Sequence, residues 1–149
     1  PDVLDVGCGS GVLSMMAARL GARSVLGLDV EQEAIEAAHE NLERNDIVGD
    51  VEFSTTPLAD VDGTFEVVVA NILAPILLEL GDELFAHLRE EGRLIVSGVT
   101  VDRAESFLED FSPSDARLAE ELELGDWAGY AFEPDNDGDR MSPDDPEEP

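Results

Sequence analysis

The stretch Val3-Leu4-Asp5-Val6-Gly7-Cys8-Gly9-Ser10-Gly11 decides the fold of this chain. Its apolar first half predicts a buried strand, and glycines then recur at alternate positions. Glycine has no Cβ atom, so the backbone there can adopt a positive φ and a ligand can approach it closely. The residues from Val12 to Leu20 predict a helix after this loop. In open α/β sheets such a loop lies at the carboxyl end of a strand, where ligands bind.

Strands and helices alternate along the rest of the chain. The further strands are predicted over residues 24–30, 51–54, 65–72, 92–99, 117–124 and 127–132, and the further helices over 31–44, 75–89 and 102–111. The last two strands form a closing antiparallel pair that turns at Gly125-Asp126. The pattern therefore predicts an α/β fold with a doubly wound, seven-stranded, mostly parallel sheet whose last strand is antiparallel.

The composition of the 149-residue chain is that of one folded domain with a tail. The hydrophobic fraction is 43%, and no apolar run approaches the roughly 20 residues that span a bilayer. We expect residues 1–133 to form the domain. Residues 134–149 contain four prolines and seven acids and no aromatic residue, which predicts an acidic disordered tail.

The charge is unusually negative: 36 acids face eight basic residues, all of them arginine, for a net charge of −28. Binding to a nucleic-acid backbone requires basic residues, so the charge argues against a direct nucleic-acid partner. A second interpretation competes with this one. An acidic surface without lysine is typical of salt-loving organisms, in which high ionic strength screens the self-repulsion.

Cys8 is the only cysteine, which excludes an intrachain disulfide and favours an intracellular, cytoplasmic setting. Between two glycines it is expected to be a small buried filler, since no candidate base that would activate it is apparent. His39 and His87 are predicted to lie on helix surfaces, and no metal site is expected.

The ligand is indicated by residues around the glycine loop. A dinucleotide loop needs a third glycine where this chain has Val12, so the pattern here is G-x-G-x-G, ending at Gly11. Asp5 precedes the loop by two residues, Asp29 is placed to accept ribose hydroxyls, and Asn71 ends the fourth strand. The plain structural alternatives are a tight turn for the loop, a helix cap for Asp29 and a strand-end turn for Asn71.

Taken together, these residues favour S-adenosylmethionine. Its sulfonium is cationic and it carries no pyrophosphate, so acidic groups beside the loop suit it, whereas they would repel a diphosphate. The predicted cofactor-binding residues share a position at the carboxyl edge of the sheet: Asp5, Gly7, Gly9, Gly11, Asp29, Val30 and Asn71. Asn71 is also the predicted catalytic residue.

The chain resembles class I S-adenosylmethionine-dependent methyltransferases, and more narrowly the ribosomal protein L11 methyltransferase family. The resemblance covers roughly residues 2–133 and rests on the stretches 4–11, 27–30, 70–74, 94–98 and 127–128. It implies a Rossmann-like fold, with Gly7 at the cofactor, Asp29 at its ribose and Asn71 at the reacting end. That family also carries an amino-terminal substrate-recruiting domain, so this chain is expected to correspond to the catalytic domain, or to a shorter relative with another substrate.

The residues after Asn71 bear on the methyl acceptor. Methyltransferases that act on adenine or glutamine nitrogens usually have Asn-Pro-Pro-Tyr here, with an aromatic ring that stacks on the planar acceptor. This chain has Asn-Ile-Leu-Ala, which favours a flexible aliphatic amine such as a lysine side chain or an α-amino group. The expected function is N-methylation of a protein, with a ribosomal protein as the implied substrate. Methylation of RNA or a small molecule, and a non-catalytic cofactor-binding module, remain alternatives.

Overall fold

The computed structural model describes residues 1–113 and 115–135. The strands in that part of the chain are β1 (Asp2–Val6), β2 (Ser24–Leu28), β3 (Asp50–Ser54), β4 (Phe65–Asn71), β5 (Leu88–Thr100), β6 (Ala116–Leu124) and β7 (Trp127–Pro134). The helices are α1 (Val12–Arg19), α2 (Gln32–Arg44), α3 (Ala74–Ala86) and α4 (Ala104–Asp110). Short 3-10 turns occupy Leu58–Asp60 and Val101–Arg103.

The strands form one sheet in the order β3-β2-β1-β4-β5-β7-β6. The first five strands pair in parallel, and β7 lies antiparallel between β5 and β6. The predicted fold class is therefore confirmed, including the antiparallel last strand. Because β1 and β4 are neighbours although two strands separate them in sequence, the strand order reverses between them. The carboxyl ends at this reversal are where ligands bind in open α/β sheets.

The larger hydrophobic core lies between one face of the sheet and α3 and α4. Strand residues that alternate along β1, β4 and β5 point into it, and the most completely buried of them are Leu4, Val68, Ala70, Leu94 and Val96. The helices contribute Leu77, Leu84 and Phe107, among others. This core fixes the positions at which β1, β4 and β5 end.

The opposite face of the sheet is covered less completely. Helices α1 and α2 pack over its β1–β2–β3 side, where Val3, Ala18 and Val25 are buried. Beyond α1, an apolar groove of about 430 Å3 opens over the side chains that β4 and β5 present on this face, among them Val69 and Ile95.

Several boundaries differ from those predicted. Helix α3 ends at Ala86 and β5 begins at Leu88, because Leu88 pairs with Phe65 of β4 and leaves the helical pattern. His87 is consequently not on a helix surface: it is partly buried after α3, and its Nδ1 and Nε2 each lie 3.0 Å from a carbonyl oxygen, of Gly63 and Leu58. His39 is exposed on α2, as predicted.

Two further predictions concern the end of the chain and the membrane. Pro134 is the last residue of β7, and the rest of the predicted tail, apart from Asp135, lies outside the described residues. Within the described part, no helix has the length and apolar character that crossing a bilayer requires.

Candidate functional site

The glycine loop after β1 is held by backbone hydrogen bonds, to the end of β2 and within the loop itself. Gly7, Gly9 and Gly11 all have positive φ, at 74°, 54° and 85°. The N–H groups of Gly7 and Cys8 both donate to Leu28 O at 2.8 Å, and the Gly11 N–H donates to Cys8 O at 2.9 Å. These donors are engaged inside the protein. The N–H groups of Gly7, Cys8 and Gly11 are therefore not available to bind a diphosphate.

Asp29 follows β2 directly and ties the loop to the start of α2. Its Oδ2 accepts the Gly9 N–H at 2.9 Å, and its Oδ1 accepts the Glu31 N–H at 3.0 Å. The Glu31 contact is an Asx turn before α2 and not a helix cap, because Glu31 is itself the N-cap residue and α2 has no side-chain cap hydrogen bond. A carboxylate offers about four lone-pair sites, so both oxygens can accept further hydrogen bonds from a ligand.

Asp5 lies beneath the loop, with 2% of its surface exposed. Its Oδ2 accepts the hydroxyl of Ser14, a fully buried residue of α1, at 2.7 Å. Burial raises the pKa of Asp5, the Ser14 hydrogen bond lowers it in part, and the nearby charge of Asp29 raises it again. The site therefore places two carboxyl groups close enough to repel each other, which favours a cationic ligand. Ser14 was not foreseen from the sequence.

A cleft of about 450 Å3 opens beside the loop. Three predicted residues, Gly7, Asp29 and Val30, line one of its walls. Its other walls come from residues 56–59, which follow β3 and include the start of the 3-10 turn, from Ile72 and from helix α3. The sequence predicts neither a strand nor a helix between residues 54 and 65, because a wall formed by the connection after a neighbouring strand leaves no local pattern.

Ile72 stands between this cleft and the end of β4. A Cβ atom on Gly7 would lie 2.3 Å from Ile72 Cγ2, so only glycine fits at this point. Ile72 also lines a second cavity, of about 500 Å3, that contains Asn71 and Ser97. The two cavities therefore adjoin at one isoleucine side chain.

Asn71 is the last residue of β4 and is exposed. It pairs in register with Ser97 of β5, which brings both polar side chains to the same edge of the sheet. Immediately after Ser97, Gly98 has a φ of 97°, and a Cβ there would lie 2.4 Å from Ile72 O and 3.3 Å from Asn71 Oδ1. The backbone at Gly98 thus passes close to Ile72 O and Asn71 Oδ1, which restricts the position of the Asn71 side chain.

Cys8 is 8% exposed in the middle of the loop. Burial, and then the charges of Asp5 and Asp29, raise the pKa of its thiol to about 12. A thiol with this pKa is protonated at neutral pH, so Cys8 is unsuited to nucleophilic chemistry. The prediction of a small buried filler agrees with this placement.

The model of the ribosomal protein L11 methyltransferase (PrmA) family matches residues 1–133. The chain belongs to this family. The sequence is 40% identical over 132 residues to the ribosomal protein L11 methyltransferase of Pelobacter propionicus and 43% identical over 132 residues to that of Geobacter metallireducens, each alignment covering 89% of this chain. These confirm the resemblance inferred from the sequence.

A solved relative shares the architecture as well. The crystal structure of ribosomal protein L11 methylase from Lactobacillus delbrueckii subsp. bulgaricus superimposes with a TM-score of 0.82 at 40% identity, covering 89% of this chain and 69% of that one. The chain spans only 43% and 44% of the length of the two curated relatives. Family membership is therefore established for the domain described here, and the activity of the whole protein is a separate question.

Proposed function

We propose that this chain is an S-adenosylmethionine-dependent methyltransferase domain that methylates amino groups of a protein. The observation that carries the proposal is the arrangement of Gly7, Asp29 and Asn71 along one edge of the sheet, in two adjoining cavities. One cavity suits a cationic nucleoside and the other suits a methyl acceptor. Family membership over residues 1–133 supports the same function.

The cleft has the features that S-adenosylmethionine requires. Asp29 can accept the ribose hydroxyls with its remaining lone pairs, and Val30 and Leu58 supply apolar surface for the adenine. Asp5 and Asp29 favour the positive charge of the sulfonium, and the internally bonded loop does not demand a diphosphate. Gly9 has open space where its Cβ would be, so a ligand can press against the backbone there.

Asn71 is proposed to orient the acceptor. Its side-chain and backbone oxygens can accept hydrogen bonds from an amine and direct the nitrogen lone pair toward the cleft. When bound, S-adenosylmethionine supplies an activated methyl group. The nitrogen lone pair forms the new N–C bond while the S–C bonding pair stays on sulfur, and the resulting ammonium loses a proton to water. Positioning supplies most of the rate in such a displacement.

The acceptor nitrogen must be neutral to react. Apolar surface beside the nitrogen disfavours the ammonium form and lowers the pKa of the amine. Ile72 and Leu73 bring apolar surface to the acceptor cavity beside Asn71. A lysine side chain or an α-amino group can enter such a cavity end-on, and the two residues that directly follow Asn71 are aliphatic, not aromatic.

The partner proposed is a ribosomal protein, with a cytoplasmic setting. Homologues of this chain are named for methylation of ribosomal protein L11. The net charge of −28 makes a basic protein a better partner than a nucleic acid, because opposite charges steer association.

The test begins with calorimetric titration of the chain with S-adenosylmethionine in high salt, and Asp29→Ala serves as the control that loses affinity. Labelled methyl transfer is then measured to purified ribosomal protein L11, to ribosomal RNA and to a short lysine peptide at high concentration. The peptide tests the catalytic centre without any recruitment surface. Label in protein supports the proposal, and label in RNA supports the RNA alternative. Binding without transfer to any acceptor supports a non-catalytic module, and no binding overturns the proposal.

A further inference from the structure

Trp127 has an unusual position for the largest side chain of the protein. It is the first residue of β7, opposite Thr100 of β5 and Leu124 of β6, and 56% of its surface is exposed. The other two aromatic residues of the strand, Tyr130 and Phe132, are buried in the larger core. Leaving an indole half in water forgoes much of the stabilisation that burial would give.

The strand pairings place Trp127 on the face of the sheet that carries the predicted catalytic residue. Asn71 pairs with Ser97, and Ser97 pairs with Gly129, so the three lie in one row across β4, β5 and β7. Side chains two residues apart on a strand point to the same face, which brings Trp127 beside this row. Because Gly129 has no side chain, nothing from β7 fills the space between Ser97 and Trp127.

The indole also lines the acceptor cavity. That cavity, of about 500 Å3, has Asn71, Ser97 and Trp127 among its walls. Asn71 and Ser97 contribute polar oxygen atoms, and Trp127 contributes an aromatic surface. This combination suits an aliphatic ammonium group, since the oxygen atoms accept hydrogen bonds from its N–H groups and the face of the indole attracts its positive charge.

The geometry points to Trp127 as an acceptor-specificity residue: we propose that its indole face holds the methyl-accepting nitrogen while positive charge develops on it. This rests on the proposed methylation of amino groups. As the N–C bond forms, the nitrogen becomes cationic, so an aromatic face stabilises the transition state more than the neutral amine. The same face retains a partly methylated ammonium product, which after losing a proton can accept another methyl group.

The chain has one tryptophan, which permits a sharp test. Expression with 5-fluoro-, 5,7-difluoro- or 4,5,6,7-tetrafluorotryptophan changes position 127 alone, and it weakens cation–π attraction stepwise with little change in shape. The ligand probes are Nα-acetyl-Nε-trimethyllysine amide and its neutral analogue, in which a tert-butyl group replaces trimethylammonium. Binding is followed by calorimetry and by tryptophan fluorescence, with S-adenosylhomocysteine present.

The cationic probe is expected to bind more tightly than the neutral one, and its affinity should fall by about fivefold to tenfold across the fluorinated series. The affinity for S-adenosylhomocysteine should not change. Trp127→Phe should retain part of the preference for the cation, and Trp127→Ala should lose it. The matched control is Leu124→Ala, an exposed apolar residue opposite Trp127, which should behave as the wild type.

Equal affinities for the two probes, or an affinity for the cationic probe that does not change with fluorination of Trp127, would overturn the inference. If either of these results is obtained and the wild type still methylates the lysine peptide, the proposed function stands and only the role of Trp127 fails. If no methyl transfer occurs but the cationic preference follows fluorination, the role of Trp127 in binding stands and the proposed catalysis fails.

Discussion

The candidate site has two halves that are built differently. The loop half consists of residues 5–11 with Asp29, and the N–H groups of its three glycines and its buried carboxyl are satisfied inside the protein. The acceptor half consists of Asn71, Ser97 and Trp127, which are exposed or partly buried around an open cavity. The first half has one rigid shape that suits one cofactor. The second presents exposed side chains to the methyl acceptor. An acceptor site must do this if a segment of another protein is to enter it.

The largest effect is expected from Gly7→Ala, which tests the rigidity of the loop half. The new methyl group would meet Ile72 Cγ2 at 2.3 Å, on a residue with φ at 74°. We expect a loss of about 2–4 kcal/mol of stability from strain and overpacking together. The displaced Ile72 would also enter the cleft, which should weaken S-adenosylmethionine binding about 100-fold, as measured by thermal unfolding and calorimetry.

Gly21→Ala is the matched control for this change. Gly21 also has a positive φ, of 101°, but its Cβ would meet nothing within 4 Å. It should show the conformational strain without the loss of cofactor affinity. Equal affinity losses in the two variants would contradict a specific contact between Gly7 and Ile72.

Asn71→Ala tests whether the acceptor half acts separately from the loop half. Misplacing the nucleophile should lower the rate of methyl transfer about 100-fold. Because Asn71 is exposed, the melting temperature should not change, and cofactor affinity should change little. Transfer to the lysine peptide and calorimetry with S-adenosylmethionine measure the two effects. An unchanged transfer rate would refute the proposed role of Asn71.

Ser14→Ala is expected to have an intermediate effect, and one that depends on pH. Removing the hydroxyl leaves a buried carboxyl less satisfied, at a cost of about 1–3 kcal/mol at neutral pH. The pKa of Asp5 is already raised by burial and should rise further. A carboxyl with a raised folded-state pKa destabilises the fold as pH rises through that pKa, so the stability deficit should shrink on acidification.

The affinity for S-adenosylmethionine should also depend on pH through the ionisation of Asp5. A cationic ligand prefers ionised Asp5, so affinity should fall as pH drops, and in Ser14→Ala this fall should begin at a higher pH. Urea unfolding and calorimetry over a pH series provide the measurements, and Ser10→Ala, an exposed serine of the loop, is the control. A deficit that is constant with pH would show that Asp5 is not the responsible group.

The smallest effect is expected at Cys8. With a thiol pKa of about 12, the folded protein should react very slowly with a thiol reagent at pH 8 and readily once denatured. As Cys8 is the only cysteine, the reaction reports on it alone. Cys8→Ala should retain methyl transfer within about twofold, since the thiol has no proposed chemical role. A large loss of activity without a loss of stability would indicate a function that the loop geometry does not provide.

Much of the fold could be predicted from the sequence because its signals are local. Apolar runs and helical periodicity located the seven strands, and glycines at positions 7, 9 and 11 marked a loop that only positive φ values permit. Errors arose where one pattern suits two structures. Leu88 fits the apolar face of the preceding helix, but its pairing with Phe65 places it in β5 and leaves His87 between the two elements.

Only part of the candidate site could be predicted from the sequence. Asp5, Asp29 and Asn71 were identifiable because each adjoins the end of a predicted strand. Ser14 gave no signal, since a serine within a helix pattern is ordinary until Asp5 is seen 2.7 Å away. Trp127 belonged to a recognised stretch, but its role depends on its position relative to other strands.

By itself, then, the sequence determined the order of strands and helices, the glycine loop, the family and the acidic residues beside the cofactor cleft. These follow from properties of neighbouring residues: side-chain size, periodicity and backbone freedom. Only the tertiary structure decided that Ile72 lines both cavities, that Asp5 is held by Ser14, and that Trp127 and Asn71 line the same cavity. Those contacts join residues far apart in the chain, and the register of β4, β5 and β7 brings them together.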